Sequence, residues 1–564
     1  MKKSTKQKPT INSNDIAYCK IHPGLGIARM GDSADEFFIG PEAPGHPPNP
    51  VGGFKDKHGR VKRQAARFRI YAYNAAGEAI AELTAAEANI TWSVQLANKK
   101  ASYDMFLGRY WEYQFPEVKK YADEHNGGKP PQRNQEVTDD AERRRLLDIR
   151  PEPRSITGAN EHGEKYQMIG KFGPLPYTVV NAETRDAIQY SRSGFMNVPF
   201  VDPTQPGLSK TFAENAKKYK WQAGVMQEPI AQSPAADVYL GELRTDAHGR
   251  LFVLGGHGTS SSIIPDNDVG YLNGDYYFGS NDYWYDDTSD GVVSAEVTLK
   301  DGTKVEVREK SWVLVAPPKF APHVQPITTL WDVSVDVAAQ KTGAAGPNDV
   351  SFVRDVYPIL KSVNEYQWVN QFALQQHGSG MVFDPLSEPL FGQLHEKGET
   401  QPAIDANAFA RDHVFKRLRK PLPLLQAEHP ELPFEKLIES EFATAYSGMK
   451  FMPQMWGDGG DGLDPVGKVP DSGTDWTNPG GNMPGGTYIT WATLTPRQYK
   501  CMEAWAKGQY VDDWPKHVSP VTGPREPVLA KIPIKDQPRA VDEASLEPCI
   551  GAPFFPGIEI TYIC

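Results

Sequence analysis

Hydrophobic and polar positions alternate with a period of two through much of the first 110 residues. Phe68-Arg69-Ile70-Tyr71-Ala72-Tyr73 and Thr91-Trp92-Ser93-Val94-Gln95-Leu96 are the clearest runs, with a turn after the first at Asn74 to Gly77. Alternation of this kind predicts strands with one buried face. It returns at 237–254, where Val238-Tyr239-Leu240 and Leu251-Phe252-Val253-Leu254 flank a turn containing His248-Gly249. A hairpin is predicted where Ala295–Leu299 and Thr303–Val307 flank Lys300-Asp301-Gly302, because Asp-Gly suits the positive φ of a tight turn. Pro317-Pro318 closes this β half.

From about 348 the period lengthens. Phe352, Val353, Val356, Ile359 and Leu360 fall at helical spacing, and 405–420 and 433–447 also read as helices. Residues 451–490, rich in Gly, Pro and Asp, predict a long ordered loop. Thr495-Pro496-Arg497-Gln498 then starts a helix over 496–508, with Thr as N-cap, Pro at the first position and Gln three after the cap. That helix carries Tyr499, Met502, Trp505 and Ala506. The expected class is α+β: a β-rich N-terminal half with antiparallel hairpins, then a helical and loop-rich C-terminal part. Residues 1–340 form the β-rich scaffold, interrupted by a polar excursion at about 115–235. Residues 341–450 form a helical region, and 451–564 a loop-rich region.

Composition narrows the function. The 564 residues include 60 Lys and Arg against 71 Asp and Glu, a net charge of −11. An acidic chain of this kind is not built to bind nucleic acid, which needs a basic face. Nothing approaches 18 consecutive apolar residues, so no membrane-spanning segment is expected. The 50 Gly and 48 Pro exceed the ordinary combined share of about 12%, which fits a loop-rich globular protein. The four cysteines (Cys19, Cys501, Cys549 and Cys564) form neither a disulfide scaffold nor a CxxC pair for zinc. MKKSTKQKPTINSND is basic but no apolar stretch follows, so no cleavable signal is seen. The expected location is the cytoplasm, or outside it by a non-Sec route.

Few familiar motifs appear. Gly24-Leu25-Gly26 lacks the third glycine of a dinucleotide fingerprint, since Arg29 stands there, and a tight turn explains it better. GxxxxGK[ST], HExxH and GxSxG are missing. Gly255-Gly256-His257-Gly258-Thr259 follows a strand directly. Such a loop lets backbone approach a ligand, with His257 able to transfer protons near neutral pH; a glycine-rich bend is the plainer reading. In Asn281-Asp282-Tyr283-Trp284-Tyr285-Asp286-Asp287-Thr288-Ser289-Asp290-Gly291, aromatics precede carboxylates at 286, 287 and 290. Three readings stand: a hard-cation site, a substrate pocket with aromatic walls and a carboxylate for an ammonium group, or a turn whose side chains cap backbone amides. The carboxylates of Trp456 to Asp464 are three apart and do not match an EF-hand, which favours a structural loop. Arg60, Lys62, Arg63, Arg67 and Arg69 are expected in internal ion pairs.

Several stretches together resemble one family. They are Ile21-His22-Pro23 through Arg29, Glu36 to Glu42, Lys62 to Tyr71, Leu96 to Ala101, Tyr285 to Gly291, Val313 to Pro318, Leu494 to Tyr499, and Phe554 to Glu559. The chain is similar, from about residue 16 onward, to the LodA/GoxA family of quinoprotein amino-acid oxidases, which includes L-lysine 6-oxidase and glycine oxidase. The resemblance implies a cysteine tryptophylquinone made from a Cys and a Trp of one chain, with a maturation flavoprotein as partner. The amine forms a Schiff base on a quinone carbonyl and a base takes the proton from the adjacent carbon. Hydrolysis and reoxidation by O2 then release aldehyde or oxo acid, ammonia and hydrogen peroxide. A small amino acid or primary amine is the implied substrate, and a homo-oligomer the implied assembly.

The crosslinking Cys and Trp are expected beyond Cys564, so the chain reads as ending before the quinone segment and as inactive alone. Cys549 is not taken as the quinone cysteine, and Cys501 with Trp505, one helical turn apart, reads as core packing. No metal site is expected. The substrate-binding candidates are Tyr285, Asp286, Asp287 and His257; the catalytic residues stay unassigned. The alternatives are a non-catalytic β-rich scaffold or binding module lacking the quinone, and a divalent-cation-dependent hydrolase built on the 286–290 carboxylates.

Overall fold

The longest alternating runs become the longest strands. The structure, a computed structural model, describes residues 12–99, 123, 127–129, 139–178, 230–263, 283–319, 321–343, 349–369, 371–418, 420–432, 463–464, 483–484, 494–524 and 527–549. The chain divides into two compact units: residues 1–39 with 50–317, and residues 40–49 with 318–564. Asn281 and Asp282, the 433–447 helix, the 451–490 loop apart from four residues, and everything from Ile550 to Cys564 lie outside the described residues.

The first unit opens with β1 (Tyr18–His22), β2 (Leu25–Arg29), β3 (Phe37–Ile39), β4 (Arg63–Tyr73), β5 (Ala79–Leu83) and β6 (Ala88–Lys99). A short α1 (Asp140–Arg145) precedes β7 (Asp148–Ile149), β8 (Arg154–Thr157), β9 (Gln167–Phe172) and β10 (Pro176–Thr178). Then come β11 (Ile230–Gln232), β12 (Ala236–Thr245), β13 (Leu251–Gly255), β14 (Ser260–Ser262) and β15 (Trp284–Asp286). The unit ends with β16 (Ser289–Leu299), β17 (Lys304–Val305) and β18 (Ser311–Ala316).

Among the described residues, 14 strands join one sheet along the path β7-β6-β16-β18-β2-β4-β13-β12-β9, with β1, β3 and β5 on β4, β8 on β6 and β17 on β16. Most pairs are antiparallel; β18 with β2 and β3 with β4 are parallel. Its apolar face buries Phe68, Trp92, Leu96, Leu240, Val253 and Val313. Trp92 satisfies its indole by donating to the Gly249 carbonyl at 2.9 Å, which a buried indole requires.

Two sequence expectations differ in extent from the structure. The Asp-Gly turn forms, with Gly302 at φ +91°, but its hairpin is short, pairing only Val297 with Val305 and Thr298 with Lys304. Strand β16 pairs instead with β6 along its length, from Asp290↔Ala97 to Leu299↔Ala88. Residues 148–172, inside the stretch expected as a polar excursion, supply β7, β8 and β9. Strand β9 is buried at alternate positions, so Met168, Gly170 and Phe172 face the core while Gln167, Ile169 and Lys171 face outward. The basic cluster forms ion pairs within this unit: Arg63 with Glu242 at 3.2 Å, Arg69 with Glu82 at 2.7 Å and Lys62 with Glu36 at 2.8 Å.

The second unit is helical where described. It contains α2 (Leu330–Thr342), a π-helical turn Phe352–Val356 running into α3 (Tyr357–Glu365), α4 (Gln371–His377), α5 (Leu390–His395), α6 (Gln401–Phe415) and α7 (Leu422–Glu428). Two further helices are α8 (Pro496–Ala506) and α9 (Gln537–Leu546). Helix α8 starts as predicted: Gln498 N donates to Thr495 Oγ1 at 3.2 Å and Thr495 N to Gln498 Oε1 at 2.9 Å. Met502 and Trp505 are fully buried with Phe352, Leu360, Tyr366 and Phe391. Among the described residues no helix is long and apolar enough to cross a membrane.

Candidate functional site

Strand β13 is buried throughout and delivers the chain into the glycine-rich bend. A Cβ on Gly255 would stand 2.2 Å from Val315 Cγ1, and one on Gly256 would stand 2.3 Å from Asp287 Oδ2. Neither position admits a side chain, so the bend can press against β18 and the loop after β15. Gly258 adopts φ +79°, which aims successive amides inward. The amides of Gly258 and Thr259 donate to Asp287 Oδ2 at 2.9 and 3.0 Å. Asp287 is 1% exposed, and its Oδ1 is buried with no hydrogen-bond partner. Burial raises its carboxyl above the ordinary value, against the backbone bonds that lower it.

His257 leaves the bend half-buried, its ring stacked on Tyr239 with centroids 5.0 Å apart. Its Nδ1 lies 3.4 Å from the Gly31 carbonyl oxygen, which can only accept, so Nδ1 carries the proton and Nε2 keeps its lone pair. Nε2 has no partner among the described residues. Burial, and then the charge of Arg63, lower the His257 pKa, so the ring is neutral near neutral pH. Arg63 is itself buried and donates to Tyr239 Oη at 3.2 Å, to the Gly255 carbonyl at 3.3 Å and to Glu242 Oε1 at 3.2 Å. Burial, and then the neighbouring Glu242, push the Tyr239 phenol up to about 12, so it remains a neutral face for the imidazole.

The other candidates sit beside this bend on a small two-stranded sheet. Ser260, Ser261 and Ser262 pair with Asp286, Tyr285 and Trp284 in antiparallel register. Tyr285 packs on Phe172 with ring centroids 5.8 Å apart. Asp286 Oδ1 accepts from Asn98 Nδ2 at 2.8 Å, from the Thr288 amide at 2.9 Å and from the Thr288 hydroxyl. The third carboxylate, Asp290, accepts from Trp312 Nε1 at 3.2 Å. Each carboxylate therefore serves a different protein donor, and no group of three metal-ligating side chains forms among the described residues.

The structure thus brings His257 and Asp287 together across one bend, with Tyr285 and Asp286 on the adjoining strand. Arg63, Tyr239 and Glu242 support His257 and were not singled out for it from sequence. Arg63 belongs to the basic cluster read there as ion-paired. Its tie to a histidine 194 positions on follows from the β4–β13–β12 order alone.

Comparison with known proteins extends the picture. A family model for the L-lysine ε-oxidase N-terminal region matches residues 22–192 and 197–315, and one for the L-lysine ε-oxidase C-terminal domain matches residues 477–564. L-lysine 6-oxidase of Marinomonas mediterranea is 26% identical over 569 aligned positions, covering 96% of this chain and 62% of that protein. The solved ε-lysine oxidase of the same organism superposes with a TM-score of 0.53 at 23% identity, over 96% of this chain and 66% of that one. A crystal structure of that enzyme's Schiff-base intermediate with L-Lys gives a TM-score of 0.53 at 22% identity, over 95% and 66%. At these identities the superpositions carry the fold. The chain spans just under two thirds of the length of these relatives.

Proposed function

This chain belongs to the L-lysine ε-oxidase (LodA/GoxA) family, and from that premise we propose that it is an oxidase of an amino acid or another primary amine. The overall change is RCH2NH2 + O2 + H2O → RCHO + NH3 + H2O2, or its equivalent at an α-carbon. The family match carries this reading. The bend at 255–259 supplies what such chemistry asks of a protein: a neutral imidazole with a free lone pair, held by groups that do not titrate near neutral pH. His257 is the proton acceptor, Nε2 the accepting atom. Tyr239 and the Gly31 carbonyl fix the ring plane and tautomer, and Asp287 positions the bend through the Gly258 and Thr259 amides. Tyr285, backed by Phe172, walls the space for the substrate side chain.

The family implies a cysteine tryptophylquinone, which supplies the two-electron oxidation of the amine. The described cysteines do not fit that group. Burial pushes the Cys19 and Cys501 thiols up to about 12, and Cys549 is buried beside the Ser545 carbonyl. Trp505, the tryptophan one turn from Cys501, is fully buried with its indole N–H on the Leu394 carbonyl at 2.8 Å, out of reach of any substrate.

The test is amine-dependent peroxide release by the full native gene product, matured with its flavoprotein, together with its intact mass. Peroxide and ammonia in equal amounts, with a mass showing a Cys–Trp crosslink and two added oxygens, are expected. An unmodified mass and no peroxide under these conditions would replace the oxidase with a binding module.

A further inference from the structure

The helical unit contains a cavity of about 520 Å³ that the bend at 255–259 does not involve. Its size falls in the range of about 300–1,000 Å³ typical of small-molecule sites. The first turn of α2 forms one wall, through Thr329, Trp331 and Asp332; the start of α8 brings Arg497, and α9 brings Arg539. Three bonds fix this arrangement. The Arg497 amide donates to Asp336 Oδ1 at 3.0 Å, and Asp336 lies one turn beyond Asp332 on α2. Gln498 Nε2 donates to the Ile327 carbonyl at 3.0 Å, and the Leu330 amide to the Cys549 carbonyl at 3.1 Å. The Arg539 guanidinium lies 5.7 Å from the Trp331 ring centroid. Arg539 thus stands over Trp331, and the charge of Arg497 acts on Asp332, both in the first turn of α2.

The other cations of the lining are already answered. Arg354 pairs with Asp355 at 2.8 Å, and Lys361 with Glu365 at 3.6 Å. The guanidinium of Arg497 makes no hydrogen bond or ion pair with a described residue, and that of Arg539 only its contact with Trp331. Asp332 spends Oδ2 on the Thr329 amide and hydroxyl at 2.9 and 2.7 Å, leaving Oδ1 without a described partner. Burial raises this carboxyl, and Asp355 adds to that, against the Thr329 bonds and the Arg497 charge that lower it; a further cation on Oδ1 would favour the ionised form. Guanidiniums without a hydrogen-bonded partner, next to a carboxylate with one oxygen unused, suit a ligand that carries both signs on adjacent atoms, and Trp331 and Tyr357 give it apolar walls.

We propose that this cavity binds a small zwitterion, a free α-amino acid or a molecule of the same chemistry, its carboxylate on Arg497 and Arg539 and its ammonium on Asp332. The assignment does not rest on the oxidase reading, because occupancy needs no turnover. Isothermal titration of the full chain under nitrogen, with L-leucine as the probe, tests it. Saturable one-to-one binding is expected, weakened at least tenfold by Arg497→Gln and by Arg539→Gln. L-leucinamide, which lacks the carboxylate, and N-acetyl-L-leucine, which lacks the ammonium, should bind the parent at least tenfold less well. Arg539 is exposed on α9, so Arg539→Gln carries the test even if Arg497→Gln fails to fold by circular dichroism. Absence of saturable binding, affinity unchanged in Arg539→Gln, or leucinamide binding as well as leucine would each overturn the proposal.

Discussion

A Cβ on Gly256 would stand 2.3 Å from Oδ2 of Asp287, the same oxygen that accepts from the Gly258 and Thr259 amides. Contact and hydrogen bonds therefore share one atom. Gly256→Ala should force the carboxylate away and cost about 1–3 kcal/mol, as overpacking a tight site does. Urea midpoints of parent and variant measure this. An unchanged midpoint would mean that the bend relaxes freely.

Asp287 should also leave a mark on pH dependence. Its folded carboxyl holds a proton more tightly than the ordinary value of 3.8, so the folded state binds more protons between those two values. Stability then falls as pH rises from the ordinary value through the raised one, and the loss is complete above it. Asp287→Asn keeps an oxygen for both loop amides and cannot ionise. Stability curves of parent and variant across the acidic range should differ by this slope, and parallel curves would contradict the assignment.

Arg63 and His257 form a second coupled pair. Burial and the Arg63 charge both hold the imidazole below its ordinary pKa. Arg63→Met should raise the His257 titration midpoint seen by NMR, while Arg244 continues to neutralise Glu242. In an active matured enzyme, His257→Gln should lower kcat on the order of a hundredfold, as loss of a general base does. A small loss confined to KM would make His257 a binding group instead.

Tyr285→Ala, in the same matured enzyme, should change the ratio of kcat/KM between short and long amines by about tenfold, the effect expected of reshaping an apolar wall. Unchanged selectivity would remove Tyr285 from the pocket.

Thr495→Ala removes the N-cap of α8, where the hydroxyl accepts the Gln498 amide. A loss of about 1 kcal/mol is expected, read from the unfolding midpoint.

That cap shows what a sequence can reveal. Thr495, Pro496 and Gln498 act within one turn of helix, so spacing alone predicts their geometry. The alternating runs of β4 and β6 are legible for the same reason: each residue's face is set by its neighbours two positions away. Asp287 is different. The sequence sets it among three carboxylates for which a cation site, a substrate pocket and a turn are all open readings. Its partners, the Gly258 and Thr259 amides, are supplied by a bend 28 or more positions earlier. The Arg63–Tyr239–His257 stack likewise joins three strands that meet only in the folded sheet. Local pattern reports which faces are buried, and remote pairing decides what a buried polar group touches.

The parallel pairing of β2 with β18 has a consequence for how the chain is made. Trp312 to Ala316 lie beside Leu25 to Arg29, nearly three hundred positions apart. The middle of the sheet therefore stays open on the ribosome until the last strand of the unit has emerged. The early strands meanwhile present bare ladder edges to other nascent chains, a state prone to association. Synthesis of this protein thus carries a long interval of exposure, closed by a six-residue strand that arrives last.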